Sequence, residues 1–599
     1  MQVRFALLFS LFARCRADFG TATNSTADSL TNSTQLVGYV QDPNGRGTTT
    51  LILSSLLTLV LCVWSALHLN VPRQHQTRLQ GLWLNVRWII TGIYAPELVV
   101  FTAWRQWCSA RLLQQLVEQS VKDRSITPKP IKCPPPWTMA HSFFACTGGF
   151  AFELESLERA MSHMTDFSTG RPRRLTLTAR GMAVLAKCGR LPHVRKEEIE
   201  DKSKANDLAK ATVIIQATWM LIQVIGRLAS KLPVTPLEVN VVAHVLCAFL
   251  MYMFWWNKPL LPNEPIILDA DDLGPLATFM YSSSEMSGYV DFEQVKSQTI
   301  IKTFFAHLNL YSRTPEFETI CLRPKVPEIG DKPFVLSTLT QVAHEIGQSQ
   351  IDLEQLSSLL YIPDCSFKDA PQSCIRELQA KREKEQGTAF FERRPRIIDG
   401  RLKSQGPSVV DMNRWSLMKR ALHTFPVLCE DRISMSHQVD NKPCIHFKAE
   451  QLVADYVQNW PSNDLLRNVD GLVVGMVLWL ANLCYGGIHI AGWNEHFPTI
   501  AESWLWRSSA LYIGFCGGLW VVLNAIVARI PALNEFWEHW MDGKKTWWQN
   551  FGLGALVLFC GFSLVLARMF IVVEAVISIR ELPASAYRTP EWIDLFPHF

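Results

Sequence analysis

Six stretches of this chain run for roughly membrane length with no Asp, Glu, Lys or Arg, and they constrain the fold more than any other feature. They are Gly47 to Pro72, Ala211 to Gly226, Val239 to Asn257, Gly471 to Asn494, Ser508 to Ala528 and Thr546 to Ala567. A helix that crosses a hydrocarbon layer of about 30 Å needs about 20 mostly apolar residues, with its backbone bonds made internally. The second stretch reaches that length if Arg227 snorkels to the interface. The third closes on Phe254-Trp255-Trp256-Asn257-Lys258-Pro259, an aromatic belt followed by a cation and a helix breaker. The sixth continues through Arg568 towards Glu574. Of 21 tryptophans, Trp415 alone falls between residues 257 and 459, so the indoles keep to the apolar regions.

Two further segments are open. Leu82 to Trp104 has spanning length but contains Arg87, Pro96 and Glu97. Trp137 to Phe152 is apolar but short, and it holds Gly148-Gly149. The expected fold is an all-α membrane protein with six transmembrane helices, or up to eight, plus a mostly helical cytosolic domain. Either count is even, so both ends of the chain fall on one side.

Residues 1–17 read as a signal peptide: Arg4, an apolar stretch from Phe5 to Ala13, then Cys15-Arg16-Ala17 as a cleavage site. Residues 18–46 form a polar tail with glycosylation acceptors at Asn24 and Asn32. The Lys/Arg bias puts this tail outside the cytosol. Membrane segments follow at 47–152, a basic cytosolic segment at 153–210, and a helix pair at 211–258. Next come a cytosolic domain at 259–468, the last helices at 469–575 and an extracytosolic tail at 576–599. The expected location is the plasma membrane or a membrane of the secretory pathway, multi-pass, with an extracytosolic N-terminus. Partners are the lipid bilayer and a cytosolic protein bound through 259–468. A net charge of +4 excludes an overall nucleic-acid footprint.

The chain has 15 cysteines but no Cys-x-x-Cys, which leaves a Cys-based zinc site or a disulfide framework unsupported. There is no phosphate loop, no zincin, hydrolase or kinase spacing, and no cofactor is expected. Asp269-Ala270-Asp271-Asp272 resembles a metal-holding acidic pair, though an acidic loop capping the next helix is the plainer account.

Ionisable side chains inside the apolar runs carry more information, because they are costly there and mark a functional site or a buried pair. The candidates are Glu97, His141, His244, His489, Arg568 and Glu574, with Arg87 beside them. Arg87 and Glu97 are ten residues apart, within about 80° on one helix projection. Arg568 and Glu574 point to different sides of theirs, and Arg568 with Glu97 is one pair that would satisfy both. A lone histidine in a span is usually structural. Several together with two glutamates suit a proton path or a metal centre. The paired glycines of Tyr485-Gly486-Gly487-Ile488-His489 would admit a second helix close to His489.

Longer words along the chain carry a resemblance. Ile199-Glu200-Asp201-Lys202-Ser203-Lys204-Ala205 leads to Gln216-Ala217-Thr218-Trp219, Val224-Ile225-Gly226-Arg227 and Leu232-Pro233-Val234-Thr235. Then come Leu237-Glu238, His244-Val245 and Trp255-Trp256-Asn257-Lys258-Pro259. With Tyr94-Ala95-Pro96-Glu97, Thr138-Met139-Ala140-His141, Tyr485 to His489, Trp493-Asn494, Glu574 and Arg580, the chain resembles an uncharacterised family of fungal multi-pass integral membrane proteins. The resemblance covers most of the chain except the N-terminal tail and parts of 260–468. Pro236 departs from the expected apolar residue. The resemblance implies a membrane architecture and no particular activity. Three functions compete: transport of a small solute or ion, a membrane-anchored sensor or scaffold, and an intramembrane enzyme using His141, His244, His489 and Glu97.

Overall fold

The computed structural model describes residues 35–42, 46–125, 137–153, 174–201, 207–260, 262–269, 273–284, 450–460, 464–468, 471–530, 532–533 and 547–589. It also describes short pieces at 319–322, 396–398, 401–403, 433–439 and 442–448, and single positions between 417 and 428. The signal peptide, Asn24, Asn32 and Asp271-Asp272 lie outside these residues.

Each of the six apolar stretches is a helix. They are α1 (Thr48–Ala66), α6 (Asp207–Ala229), α7 (Pro236–Trp255), α9 (Gly471–Ile490), α10 (Ile500–Arg529) and α11 (Trp547–Ile577). Five of these helices are long and apolar enough to cross a membrane. The apolar part of α6, Val213–Ala229, is shorter. Their starts are fixed locally. Thr235 caps α7 and receives Glu238 in return, with Pro236 in the first turn where its missing N–H costs nothing. Thr499 and Glu502 repeat that reciprocal cap on α10. α9 and α10 run antiparallel in close contact. A Cβ on Gly486 would stand 2.4 Å from the Gly514 nitrogen, and one on Gly517 2.6 Å from the Leu483 nitrogen. Gly487 faces open space, so one glycine of the pair admits the neighbouring helix.

Leu82 to Trp104 is not one straight helix. It divides into α2 (Arg78–Tyr94) and α3 (Pro96–Ser125), whose axes turn by 111°. Pro96 disfavours helical backbone at the residue before it, and Ala95 takes φ −145°, ψ 66°. The segment ahead of α2 and the body of α3 meet the same stretch, residues 456–459. Ahead of α2, Arg73 stacks 4.3 Å above the Tyr456 ring. Along α3, Gln106 donates to the Asn459 carbonyl, 2.9 Å. The bend itself meets His244 of α7 and Arg568 of α11.

Trp137 to Phe152 is not a span. It folds into an eight-residue helix, α4 (Met139–Cys146), a turn with Gly148 at φ 80°, and strand β2 (Phe150–Glu153). β2 pairs antiparallel with β3 (Arg174–Leu177) and parallel with β4 (Ile266–Leu268), while β5 (Val453–Ala454) flanks β3. The order in this four-stranded sheet is β5-β3-β2-β4. α5 (Ala179–Cys188) and α8 (Gly274–Ser282) cover it over a core of Phe144, Phe150, Phe152, Leu185 and Phe279. One sheet therefore draws on segments assigned from sequence to three separate blocks, 47–152, 153–210 and 259–468. The last block also holds a three-stranded sheet of Thr319–Leu322, Lys442–Lys448 and Ile433–Val439, where a mostly helical domain was expected.

At the opposite end of the bundle, β1 (Leu36–Val37) pairs antiparallel with β6 (Leu582–Pro583). The Thr48 hydroxyl bonds Tyr587 Oη at 3.0 Å. Arg227 donates to the carbonyls of Pro233, Ala586 and Arg588.

Candidate functional site

The helix break places Glu97 in the first turn of α3, 4% exposed, where the helix N-terminus favours a carboxylate. Arg568 of α11 reaches it with Nη2 2.7 Å from Oε1 and Nη1 3.1 Å from Oε2. The same guanidinium donates to the Tyr94 carbonyl at 3.0 Å and to Asn482 Oδ1 of α9. It also lies 5.0 Å from the Tyr485 ring centroid. So the freed carbonyl end of α2, the start of α3, α9 and α11 all meet at one arginine. A buried ion pair needs this density of hydrogen bonds to offset its desolvation.

The second freed carbonyl, Ile93, receives His244 Nε2 at 2.8 Å. His244 Nδ1 lies 2.7 Å from the Asn240 carbonyl. The Asn240 side chain meets His489 Nε2 at 3.3 Å, and His489 Nδ1 donates to the Tyr485 carbonyl, 2.9 Å. Tyr485 packs between the two imidazoles, with centroids 6.0 Å from His244 and 4.5 Å from His489. Trp506 closes the row by donating Nε1–H to the His489 carbonyl. The Tyr485 hydroxyl is buried and has no hydrogen-bond partner among the described residues.

Glu97, His244, His489 and Arg568 thus converge, while the other two candidates lie elsewhere. His141 belongs to the sheet unit. Its Nδ1 accepts from the Thr138 N–H at 3.2 Å, closing a cap on α4, and its Nε2 donates to the Val194 carbonyl, 2.9 Å. Glu574 is buried further along α11 with Oε1 unpartnered among the described residues, near Glu502 and Arg580. Arg87 sits exposed on α2, and the bend at Ala95 breaks the single helix on which it would align with Glu97. Asn240 and Asn482 also belong to this network and are not among the candidates read from the sequence. Both are uncharged amides within apolar runs, a weaker signal than a charge but one of the same kind.

A second polar centre joins bundle and sheet. Lys258 is buried, and its Nζ donates to the His68 carbonyl, to Asn70 Oδ1 at 3.1 Å and to Gln106 Oε1 at 2.7 Å, against the Trp255 ring. All three acceptors are neutral, and burial holds the amine well below the usual lysine range. Nearby, Arg105 grips Asp464 with two bonds of 2.8 and 2.7 Å. Arg180 binds the Asp464 carbonyl and pairs with Glu450 at 3.0 Å. Burial lifts the Asp464 carboxyl although the Arg105 fork opposes it. At the other end, Glu495 is pushed up to about 7 by burial and by the Glu238 carboxylate, against the pull of Arg227 and the Val234 backbone.

Membrane-length apolar helices closed around a buried ion-pair network define the class: a helical bundle compatible with a multi-pass membrane protein. Within that class the chain belongs to the family of unknown function DUF8562, which matches residues 21–305 and 361–599. No curated protein and no solved structure matches the chain.

Proposed function

We propose that this chain is a multi-pass membrane protein that moves a small solute or ion across the bilayer, with the tip of the α2–α3 hairpin as its working part. The supporting observation is a helix break inside the bundle whose freed carbonyls are held by Arg568 and His244 of two other helices. Non-helical backbone at membrane depth is tolerated only where protein buries it or a water-filled cavity reaches it. Discontinuous helices are where membrane carriers hold substrates and coupling ions. On this proposal α1, α6, α7, α9, α10 and α11 cross and the hairpin re-enters, giving six crossings. The sheet unit, with Arg174, Arg180, Lys187, Arg190 and Arg195, faces the cytosol. The end carrying β1 and β6 faces outward, behind a cleaved signal peptide and glycans on Asn24 and Asn32.

The test is flux through the full-length protein in proteoliposomes, with protons, Na⁺, K⁺, Cl⁻, amino acids and sugars as probes. The double variant Glu97→Gln/Arg568→Gln leaves no lone buried charge, and it is expected to cut flux at least tenfold while remaining monodisperse. Flux at the wild-type rate in that variant overturns the proposal.

A second reading, a membrane-anchored sensor or scaffold recruiting a cytosolic protein through 259–468, draws on the ties of Arg105 and Arg180 to Asp464, which couple the sheet unit to the bundle. A partner recovered by the full chain, and lost with Asp464→Asn, would favour it. The metal-centred enzyme lacks its ligands among the described residues, since no three His, Cys, Asp or Glu side chains cluster there.

A further inference from the structure

His244 differs from His141 and His489 in what its nitrogens meet. Nδ1 lies 2.7 Å from the Asn240 carbonyl and Nε2 2.8 Å from the Ile93 carbonyl. Both partners are backbone oxygens, which only accept. A neutral imidazole has one N–H and serves one carbonyl. The other contact would press a nitrogen lone pair against an oxygen lone pair at hydrogen-bond distance. Only the imidazolium, with two N–H groups, satisfies both. His141 shows the contrast. The Thr138 N–H points at its Nδ1, so the ring is satisfied as the neutral tautomer carrying its proton on Nε2. His489 faces one carbonyl and one side-chain amide, and the amide can present either its oxygen or its nitrogen. A neutral ring is therefore satisfied there as well.

We infer that His244 is a proton-binding site that holds its proton when the hairpin tip is docked. Resting on the transport proposal above, this proton is the coupling ion. The groups around the ring are Glu97 from α3, Arg568 from α11, and Tyr485 and His489 from α9. Cys247 stands one turn along its own helix, and α2 brings the Ile93 carbonyl. α1 carries no charged residue, α6 carries none between 211 and 226, and Arg87 of α2 is exposed. Arg568 and Glu97 cancel, so the imidazolium leaves one uncompensated positive charge at the centre. Loss of the proton to water leaves either the Asn240 or the Ile93 carbonyl facing a lone pair. Asn240 is fixed within α7, whereas Ile93 ends a helix at a break, so the tip is the part that gives way. Proton release and undocking of the hairpin tip are then one equilibrium.

The experiment is solid-state NMR of the full-length protein in lipid bilayers, with ¹⁵N-histidine and ¹³C-carbonyl isoleucine, from about pH 5 to pH 9. The expected result is one imidazole close to an isoleucine carbonyl, with both nitrogens proton-bearing at low pH, that loses proton and contact together as pH rises. His244→Gln removes the resonance. If that variant does not fold, Ile93→Val removes the labelled carbonyl while keeping the contact, and identifies the same ring. A single N–H tautomer across the whole range overturns the inference, as does a proton lost while the contact persists. Flux is read separately. A doubly protonated His244 in a protein without flux upholds the proton site and sinks transport. Flux with a single-tautomer His244 does the reverse.

Discussion

Arg568 and Glu97 lie 471 positions apart and meet 2.7 Å from each other, each almost wholly buried. The guanidinium also holds the end of α2, so a single side chain fixes both halves of the broken helix. Replacing Arg568 by Gln strands the Glu97 carboxylate, and the expected cost is about 3–5 kcal/mol. The Glu97→Gln/Arg568→Gln double variant should lose clearly less than the two single losses summed. A double-mutant cycle on thermal unfolding in detergent measures this, and strict additivity would show that the pair is not coupled.

Gly486 and Gly487 are neighbours with opposite environments. Gly486→Ala puts a methyl against the Gly514 backbone, which neither helix can yield without separating. The expected loss is about 1–3 kcal/mol. Gly487→Ala, with open space around it, should be neutral or slightly stabilising. Melting temperatures of the two variants side by side decide this, and equal losses would contradict the packing described.

Lys258 gives stability a pH slope of definite sign. Burial among neutral acceptors lowers its folded-state value below the ordinary 10.5. Between the two values the unfolded chain holds the proton and the folded chain does not, so stability rises with pH across that window. Lys258→Met should remove that rise. Thermal unfolding followed from about pH 7 to pH 10.5 in both proteins tests it.

Glu495 acts in the opposite direction. Its value is raised to about 7 in the folded protein, from 4.5. The folded chain therefore binds the proton more tightly, and stability falls as pH rises from 4.5 to about 7. Glu495→Gln should flatten this decline. A wild-type curve already flat over that range would show that the carboxyl is ordinary.

The helices were legible because membrane length is written into consecutive residues, and all six apolar stretches became helices. Leu82 to Trp104 gave up its Pro96 and Glu97, but not the turn of 111°, which depends on what Tyr94 and Ile93 find in α11 and α7. The sheet was not legible. Its strands are two to four residues long, too short for alternation to register, and β3 and β5 pair across more than 270 positions. His141 looked like its fellow histidines because it sits in an apolar word. A side chain that bonds the backbone three residues before it is a cap, and only the short length of α4 distinguishes that from a histidine in a span. The charged members of the buried cluster stood out against their apolar surroundings, whereas Asn240 and Asn482 did not.

The pairing of β1 with β6 sets an order of assembly. Leu36 and Val37 leave the ribosome before any helix of the bundle, yet their ladder partners, Leu582 and Pro583, follow the last one. Thr48 must likewise wait for Tyr587. α1 therefore lacks its clasp until nearly all the chain is made. A chain cut short before Leu582 would leave Leu36, Val37 and Thr48 without these partners, so the two ends of the sequence can only be closed together, as the last step.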